Sequence, residues 1–493
     1  MPGEDELIQL RREKLARLRS RGIDPYPARV TRTHTAADAV TAYERWEADG
    51  AAGDAPAVTV TGRITALRDM GKAAFLDVRD GSGRIQCYLK RDVIGDEAFA
   101  GLAELDLGDF LGVTGPLFRT RTREITVESR AYQVLAKALR PPPEKWHGLE
   151  DVELRYRQRY LDLMANEEVR DVFRARAAVI GSIRRFLDAR GFMEVDTPVL
   201  QPEAGGAAAT PFVTHHRALD QDFFLRISLE LHLKRLIVGG YDRVYEMGRI
   251  FRNEGVSWKY NPEFTMLETY EAYADYNDVA RMVEQMVGGA ARDVLGATTV
   301  RFGEHELDLA PPWRRVTMRD ALIEHAGIDF QEFRTRDTLL EELRRRKIEV
   351  DAGWSWGRLL DEAVSVYVEP KLVQPTFLID YPKEISPLAK SKADDPEIVE
   401  RFEVFCAGFE LGNAYSELND PIDQRQRFET QARLAAAGLE EVETLDEDFL
   451  VALEHGMPPT GGFGMGVDRL VMILTGNTSI REVILFPQLR KRE

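Results

Sequence analysis

Three stretches of this chain carry residue types from which a reaction could be built. Residues 245–276, YEMGRIFRNEGVSWKYNPEFTMLETYEAYADY, hold Arg249, Arg252, Glu254, Glu263, Glu268 and Tyr270 in two strand-like runs. A loop with Gly255, Asn261 and Pro262 separates the runs. Side chains alternate along a strand, so a hairpin here could set Arg252, Glu254, Glu268 and Tyr270 on one face. An arginine fork suits a phosphate. Carboxylates beside an aromatic ring suit a cation or a sugar hydroxyl. The same charges would also serve as salt bridges lacing a surface hairpin.

The second stretch is PPTGGFGMGVDRLVMILTG, residues 458–476. Gly461, Gly462, Gly464 and Gly466 let the backbone approach another surface closely. An apolar helix then opens with Asp468 and Arg469. The helix dipole disfavours an arginine there, and a bound anion would offset that cost; an Arg469 turned to water would serve as well. The third stretch, residues 400–420, is ERFEVFCAGFELGNAYSELND. Glu403 and Glu410 flank an apolar run and Glu417 follows. Hard cations such as Mg²⁺ take carboxylate oxygens, often with substrate phosphates completing the shell. Scattered surface acids are the plainer reading, although Phe402, Phe405, Phe409 and Leu411 lie among them. The chain has neither a G-x-x-x-x-G-K-[ST] loop nor a strand-associated G-x-G-x-x-G turn, so neither common phosphate cradle is present.

These residues need elements to position them. Residues 4–22 place Leu7, Leu10, Leu15 and Leu18 at helical spacing, ended by Gly22, Pro25 and Pro27. From Val58 to about Leu135 the pattern turns to short β-type runs: VTVTGRITAL, AAFLDVRD, RIQCYLK, FLGVTGPLF and EITVESRAYQVL. Five such strands predict a small barrel of the oligonucleotide-binding (OB) type. Residues 117–140 carry six basic side chains (Arg119, Arg121, Arg123, Arg130, Lys137, Arg140) against Glu124 and Glu128. With Phe75 and Tyr88, that strip suits single-stranded nucleic acid, or simply a polar barrel face. Pro141–Pro143 mark a linker. A long amphipathic helix is predicted over 168–190, with Val169, Val172, Phe173, Ala177, Ile180, Ile183 and Leu187 on one face. The organisation expected is a helical extension over 1–56, a barrel over 57–145 and a catalytic domain over 146–493. Helical insertions are expected at about 280–375.

Composition excludes some classes. The formal charge of −17 is not that of a general DNA-coating protein, but it leaves room for a local basic strip. Cys87 and Cys406 stand about three hundred residues apart, so no zinc site or disulfide framework is encoded, and a reducing cytoplasm is the expected compartment. No apolar leader or membrane span is expected.

Taken in order, these segments resemble the class II aminoacyl-tRNA synthetases, and among them the lysyl enzymes. RGFMEVDTPVLQPEAGGAAATPFVTHH (190–216) is similar to motif 1, FRNEG with NPEFTMLETYEAYADY to motif 2, and GGFGMGVDRLVMIL to motif 3. More specific are HGLEDVELRYRQRYLDL (147–163), GGAAATPF (205–212), RISLELHLKRLIVGG (226–240), GNAYSELNDP (412–421) and IREVILFPQLR (480–490). The resemblance runs from Val58 nearly to the end of the chain. It implies a multidomain α+β protein: an anticodon-binding OB barrel, then a catalytic domain on a mainly antiparallel sheet with flanking helices, in a homodimer. It implies that lysine is activated with ATP and Mg²⁺ and passed to tRNA(Lys). Arg252 and Arg469 would be catalytic and clamp the phosphates. Glu254, Tyr260, Phe264 and Glu410 would complete the ATP site, with Glu403 and Glu410 on the metal. Gly206, Glu230, Glu268, Tyr270, Asn413, Tyr415 and Glu417 would hold lysine, and Arg68, Phe75 and Gln86 would meet the anticodon. A buried lysine ammonium needs carboxylate partners, and this set has three glutamates. Tyr260 stands where many relatives carry His, Tyr415 where they often carry Phe, and near Ala131 an acidic residue would be expected. The alternatives are a paralogue acting on a lysine analogue and a non-catalytic RNA-binding regulator on the same scaffold.

Overall fold

A computed structural model describes residues 3–143, 149–207, 209–436 and 446–490. The chain divides into two units, Met1–Glu150 and Asp151–Glu493. The boundary expected at 145–146, the His147 end of its flanking segment and Ala208 of the GGAAATPF segment lie outside the described residues.

In the first unit, α1 (Glu4–Ser20) and α2 (Ala36–Ala48) precede β1 (Ala57–Asp69), β2 (Ala73–Arg79), β3 (Arg84–Lys90), β4 (Phe110–Arg119), β5 (Ile125–Glu128) and β6 (Ala131–Ala136). The order is β1-β2-β3-β5-β4, closed by pairing of β1 with β4, and β6 is added along β4. This closed five-stranded barrel with one extra strand is an OB fold. The fifth predicted run, EITVESRAYQVL, divides at Ser129–Arg130 into β5 and β6. Alternation puts Leu76, Val78, Ile85, Cys87, Leu111 and Val113 inside, all at most 2% exposed.

The basic strip is not continuous. Lys137 is fully buried, 2.7 Å from Asp109 and also bonded to Asp106. Arg119 pairs with Glu47, and Arg140 with Glu4 at 2.7 Å. Sequence reading counts charges, but the fold had already matched these three with acids elsewhere in the chain.

The second unit is built on an eight-stranded sheet. Its main elements are α3 (Glu167–Ala189), β7 (Met193–Glu194), α4 (Glu230–Val238), β8 (Arg243–Phe251), β9 (Glu263–Ala272), α5 (Tyr276–Leu295), β10 (Arg314–Thr317), α6 (Met318–Ala326), α7 (Arg336–Arg345), α8 (Trp356–Tyr367), β11 (Thr376–Pro382), β12 (Ile398–Cys406), β13 (Phe409–Ser416), α9 (Glu447–Glu454), β14 (Thr460–Gly466) and α10 (Val467–Thr475). The strand order is β10-β11-β12-β13-β14-β9-β8-β7. Pairings are antiparallel except β10–β11 and β7–β8. One face packs on α3, α5 and α10 through Ile183, Leu187, Val283, Phe402, Phe463 and Leu470.

Two expectations change here. On α3, Val179 is buried and Ala177 is exposed, so the buried stripe is offset from the predicted one. The stretch 280–375 is more than insertions. It includes most of α5, which lies under the sheet, and the edge strand β10; only α6–α8 form a separate helical cluster.

Candidate active site

The opposite face of the sheet floors a cavity of about 590 Å³. Its walls follow from strand periodicity. On β14, Phe463 and Met465 enter the core, which turns Gly462 and Gly464 toward the cavity. On β9, Leu267 enters the core, while Phe264, Met266, Glu268 and Tyr270 line the cavity. Antiparallel pairing sets Glu268 opposite Gly464 and Tyr270 opposite Gly462, and across the other edge Asn413 and Tyr415 face the same two glycines. Helix α4 adds Glu230, the chain just past β13 adds Glu417, and a turn adds Gly206. Gly206 has φ +83°, and a Cβ there would lie 3.1 Å from Ser228 Oγ, so a side chain is excluded on both counts.

One end of the cavity is acidic. Glu268 Oε1 accepts from Leu229 N at 2.9 Å and Ser228 Oγ at 3.1 Å, and Tyr270 Oη donates to Glu268 Oε2 at 3.1 Å. Tyr415 Oη donates to Glu230 Oε2 at 2.8 Å. Lys234 Nζ, fully buried, bonds Glu230 Oε1 at 2.5 Å and also pairs with Glu417 Oε2. Glu417 Oε1 is buried and has no hydrogen-bond partner among the described residues. Burial, reinforced by the charge of Glu230, pushes the Glu268 carboxyl up to about 7. Burial also pushes the Glu417 carboxyl up, and the Lys234 ammonium paired with it pulls it back toward the ionised form. Three carboxylates thus face one resident cation, and one carboxylate oxygen is left over. That arrangement suits a second ammonium.

The other end is arginine-rich. Among the described residues, Arg252, just past β8, donates only to the Ile227 carbonyl, at 3.4 Å from both Nε and Nη2. Its guanidinium stands 5.4 Å from the centre of the Phe264 ring. Burial lowers its pKa, opposed by the charges of Glu254, Glu410 and Glu268. Arg469, in the first turn of α10, donates to the Glu410 carbonyl at 2.6 Å and to Glu410 Oε2 at 3.3 Å, and lies 5.7 Å from the centre of the Tyr260 ring. Asp468 beside it accepts from Thr265 N and from Arg176 Nη1, both at 2.6 Å, which ties α10 to β9 and α3. Two guanidiniums converging beside an aromatic ring make a seat for a nucleotide's phosphates and base.

Glu403 is the one proposed site residue of this domain that is not on the cavity wall. It accepts from Tyr381 Oη at 2.9 Å and pairs with Arg401 at 2.7 Å. Burial raises it to about 7; Arg401 opposes this and the nearby Glu410 charge adds to it. Two repelling carboxylates fit a hard divalent cation that draws further oxygens from a substrate. Among the described residues no group of three or more His, Cys, Asp or Glu is arranged to hold a metal ion by itself.

Residues 151–490 match the family described as tRNA synthetases class II (D, K and N), and residues 58–140 match the OB-fold nucleic acid binding domain. Curated relatives agree over the whole length. A protein named lysine–tRNA ligase from Dehalococcoides mccartyi is 55% identical, covering 99% of this chain and 98% of its own. Proteins of the same name from Moorella thermoacetica and Bacillus subtilis are 52% and 48% identical, with at least 98% of either chain covered. The chain belongs to the class II tRNA synthetases, with the lysine–tRNA ligases.

In this synthetase the glycines of β14 differ in purpose. A Cβ on Gly462 would overlap Glu417 Oε1 and come within 2.7 Å of Tyr270 Cε1, and one on Gly461 would meet Val279 Cγ2 at 2.6 Å. At Gly464 and Gly466 the nearest contacts would be an ordinary 3.6 and 3.8 Å. Arg249 and Glu263, noted in the sequence, pair with each other at 3.6 Å outside the cavity. Lys234 and Arg401 were not singled out by sequence reading. Lys234 is fully buried and Arg401 mostly so, and each meets one acid of its own element, Glu230 and Glu403, and a partner from elsewhere in the chain, Glu417 and Asn413. The only sequence signal for Lys234 is its spacing four residues after Glu230 on one helix.

On the synthetase's barrel, cross-strand register sets Arg68 opposite Phe75, and Phe75 opposite Tyr88. The Phe75 and Tyr88 rings stack with centroids 4.6 Å apart at 24°. Gln86 lies two residues from Tyr88 on the same face, donating to Glu124 Oε2 at 3.0 Å and accepting from Thr126 Oγ1 at 3.1 Å.

Proposed function

We propose that this chain activates L-lysine with ATP and transfers it to the 3′ end of tRNA(Lys). The observation that carries the reading is the two-ended cavity: three glutamates at one end, two of them paired with one internal lysine, and Arg252 and Arg469 at the other. Lysine binds with its ammonium among Glu230, Glu268 and Glu417, steadied by Tyr270 and Tyr415. Asn413 and Gly206 shape the rest of its seat. Phe264 stacks on the adenine, Glu254 meets its edge, Tyr260 covers the phosphates, and Arg252 and Arg469 hold them in line.

The lysine carboxylate oxygen then attacks the α-phosphorus, a new O–P bond forms, and pyrophosphate leaves with the electron pair of the broken bond. In the second step a terminal ribose hydroxyl of tRNA attacks the adenylate carbonyl: the ester C–O bond forms, the bond from the carbonyl carbon to the phosphate oxygen breaks, and AMP leaves with that electron pair while its phosphate takes up the hydroxyl proton. Positioning and charge dispersal by the arginines supply the rate, with no protein base required. Glu403 and Glu410 would hold Mg²⁺, which when bound supplies further charge neutralisation to the phosphates.

Arg68, Phe75 and Gln86 read anticodon bases by stacking and hydrogen bonding. The chain acts as a homodimer; the exposed Met193, Leu200 and Val213 around edge strand β7 support that arrangement. No helix among the described residues is long and apolar enough to cross a membrane, and both cysteines are free and buried; these support a cytoplasmic setting.

ATP–pyrophosphate exchange with each of the twenty amino acids, followed by tRNA charging, tests the reading. Exchange with lysine and charging of tRNA(Lys) is expected. Exchange with none of the twenty overturns it, and exchange without charging favours a paralogue for another acceptor.

A further inference from the structure

Lys234 is the most enclosed cation of the cavity region. Its side chain has no exposed surface, and it lies on α4 one turn after Glu230. Its own helix offers Glu230, and the chain past β13 offers Glu417. β13 itself offers the Tyr415 ring, 5.6 Å from the ammonium, and α9 offers the Phe449 ring at 5.9 Å. Asp446 and Asp448, at the start of α9, are taken by Arg235 at 2.8 and 3.0 Å. On β9, Glu268 and Tyr270 act on Glu230 and Glu417 through charge and not on Lys234 by contact.

The two carboxylates that Lys234 touches are two of the three proposed to receive the substrate ammonium. Buried like charges this close cannot all ionise without a cation between them. Lys234 supplies that cation before any substrate arrives. It leaves Glu417 Oε1 without a partner, while Glu230 Oε2 is steadied by Tyr415.

We propose that Lys234 is a positioning residue for substrate selection: an internal counter-ion that keeps Glu230 and Glu417 ionised and aimed, so that the pocket accepts a charged ammonium without first losing protons. This rests on the lysine-site reading given above. It adds a cation that never touches the substrate to a set composed of acids and aromatics. The Coulomb pull of Glu230 and Glu417 outweighs burial and holds the Lys234 pKa above its ordinary value, consistent with a permanently charged group.

The test is the pH dependence of the lysine KM in ATP–pyrophosphate exchange, using the full chain. The unsubstituted protein is measured first. If it does not exchange with lysine, the site reading fails and the inference is withdrawn with it. If it does, its lysine KM is expected to be flat between about pH 7.5 and 8.5, above the Glu268 titration. In Lys234→Met the KM is expected to rise at least about tenfold at pH 7.5 and to fall about tenfold per pH unit, one proton being released for each lysine bound. The ATP KM stays within about twofold. A flat lysine KM in Lys234→Met, or equal loss for ATP and lysine, overturns the inference and leaves the site reading standing. The double variant Glu230→Gln/Lys234→Met removes the pair together and decides the matter if the single variant does not fold. Its lysine KM is expected to be weaker and still to fall with rising pH, because Glu417 is left buried without its cation; a KM flat with pH overturns the inference.

Discussion

Replacing Gly462 with alanine adds one methyl group and should disable lysine recognition selectively. The added Cβ would sit 2.7 Å from Tyr270 Cε1 and closer still to Glu417 Oε1. Carbon atoms pack comfortably at about 3.5–4.0 Å, so the ring must retreat by about 1 Å and the carboxylate by more. The backbone cannot yield instead, because Gly462 is paired with Tyr270 on one side and Tyr415 on the other, in the middle of the sheet. A displacement of about 1 Å at a reacting or binding group costs on the order of a hundredfold. A charge-assisted hydrogen bond lost outright is worth about 1.5–3 kcal/mol, or roughly 10- to 150-fold at about 1.4 kcal/mol per decade. The lysine KM in ATP–pyrophosphate exchange should therefore rise about 30- to 100-fold, with the ATP KM within about twofold. Gly464→Ala is the control: its Cβ would meet Glu268 Cγ at an ordinary 3.6 Å, and a change under about fivefold is expected. The reasoning is refuted if Gly462→Ala keeps a lysine KM within about threefold of the unsubstituted chain. It is equally refuted if Gly464→Ala loses as much.

Arg469→Ala should reduce adenylate formation by at least about a thousandfold while thermal unfolding stays within a few degrees; near-normal exchange would remove Arg469 from the phosphate clamp. Phe75→Ala should weaken tRNA charging about tenfold or more through lost base stacking, worth about 1–3 kcal/mol, and leave exchange untouched; equal loss in both assays would point to general damage. Glu268 should give the unsubstituted protein its acid limb. Burial favours its neutral form, its pKa is raised to about 7, and the ionised form is the one that binds an ammonium. The lysine KM should therefore rise about fivefold as pH falls from about 7 to 6, and a flat profile over that interval would exclude Glu268. Lys137→Ala should destabilise the barrel by about 3–5 kcal/mol, because Asp109 is left buried without its cation. Chemical denaturation of the full chain followed by barrel-specific hydrogen exchange would measure it, and a loss under about 1 kcal/mol would contradict that role.

Much of the site was legible because strand alternation and local motifs are one-dimensional. The β9 run FTMLETY alternates core and cavity residues as written, and the glycines of β14 announce a close approach. Twelve site positions of the second unit, Gly206 and Arg469 among them, are brought to the wall of one cavity. Tyr260 is there too, with Arg469 over its ring. What failed was counting charges without knowing their partners. Lys137, Arg119 and Arg140 read as a basic strip, yet each is spent on an acid distant in sequence. Ala177 was assigned to the buried stripe of α3 because periodicity fixes a helix face only to within its width, and packing on α5 and α10 selects Val179 instead.

The sequence by itself determined the kinds of element, their order, and the face of each strand on which a side chain would lie. These follow from backbone sterics and the two-residue repeat, which act between near neighbours. Only the tertiary structure decided which strands lie side by side, and with that the convergence of Glu230, Glu268 and Glu417 at one end of a cavity, with Lys234 paired to the first and last. It also decided that Glu403 lies off the cavity wall, bonded to Arg401 and Tyr381. Charges interact through space and not along the chain, so their pairing and their protonation are settled only when the fold has set the distances between them.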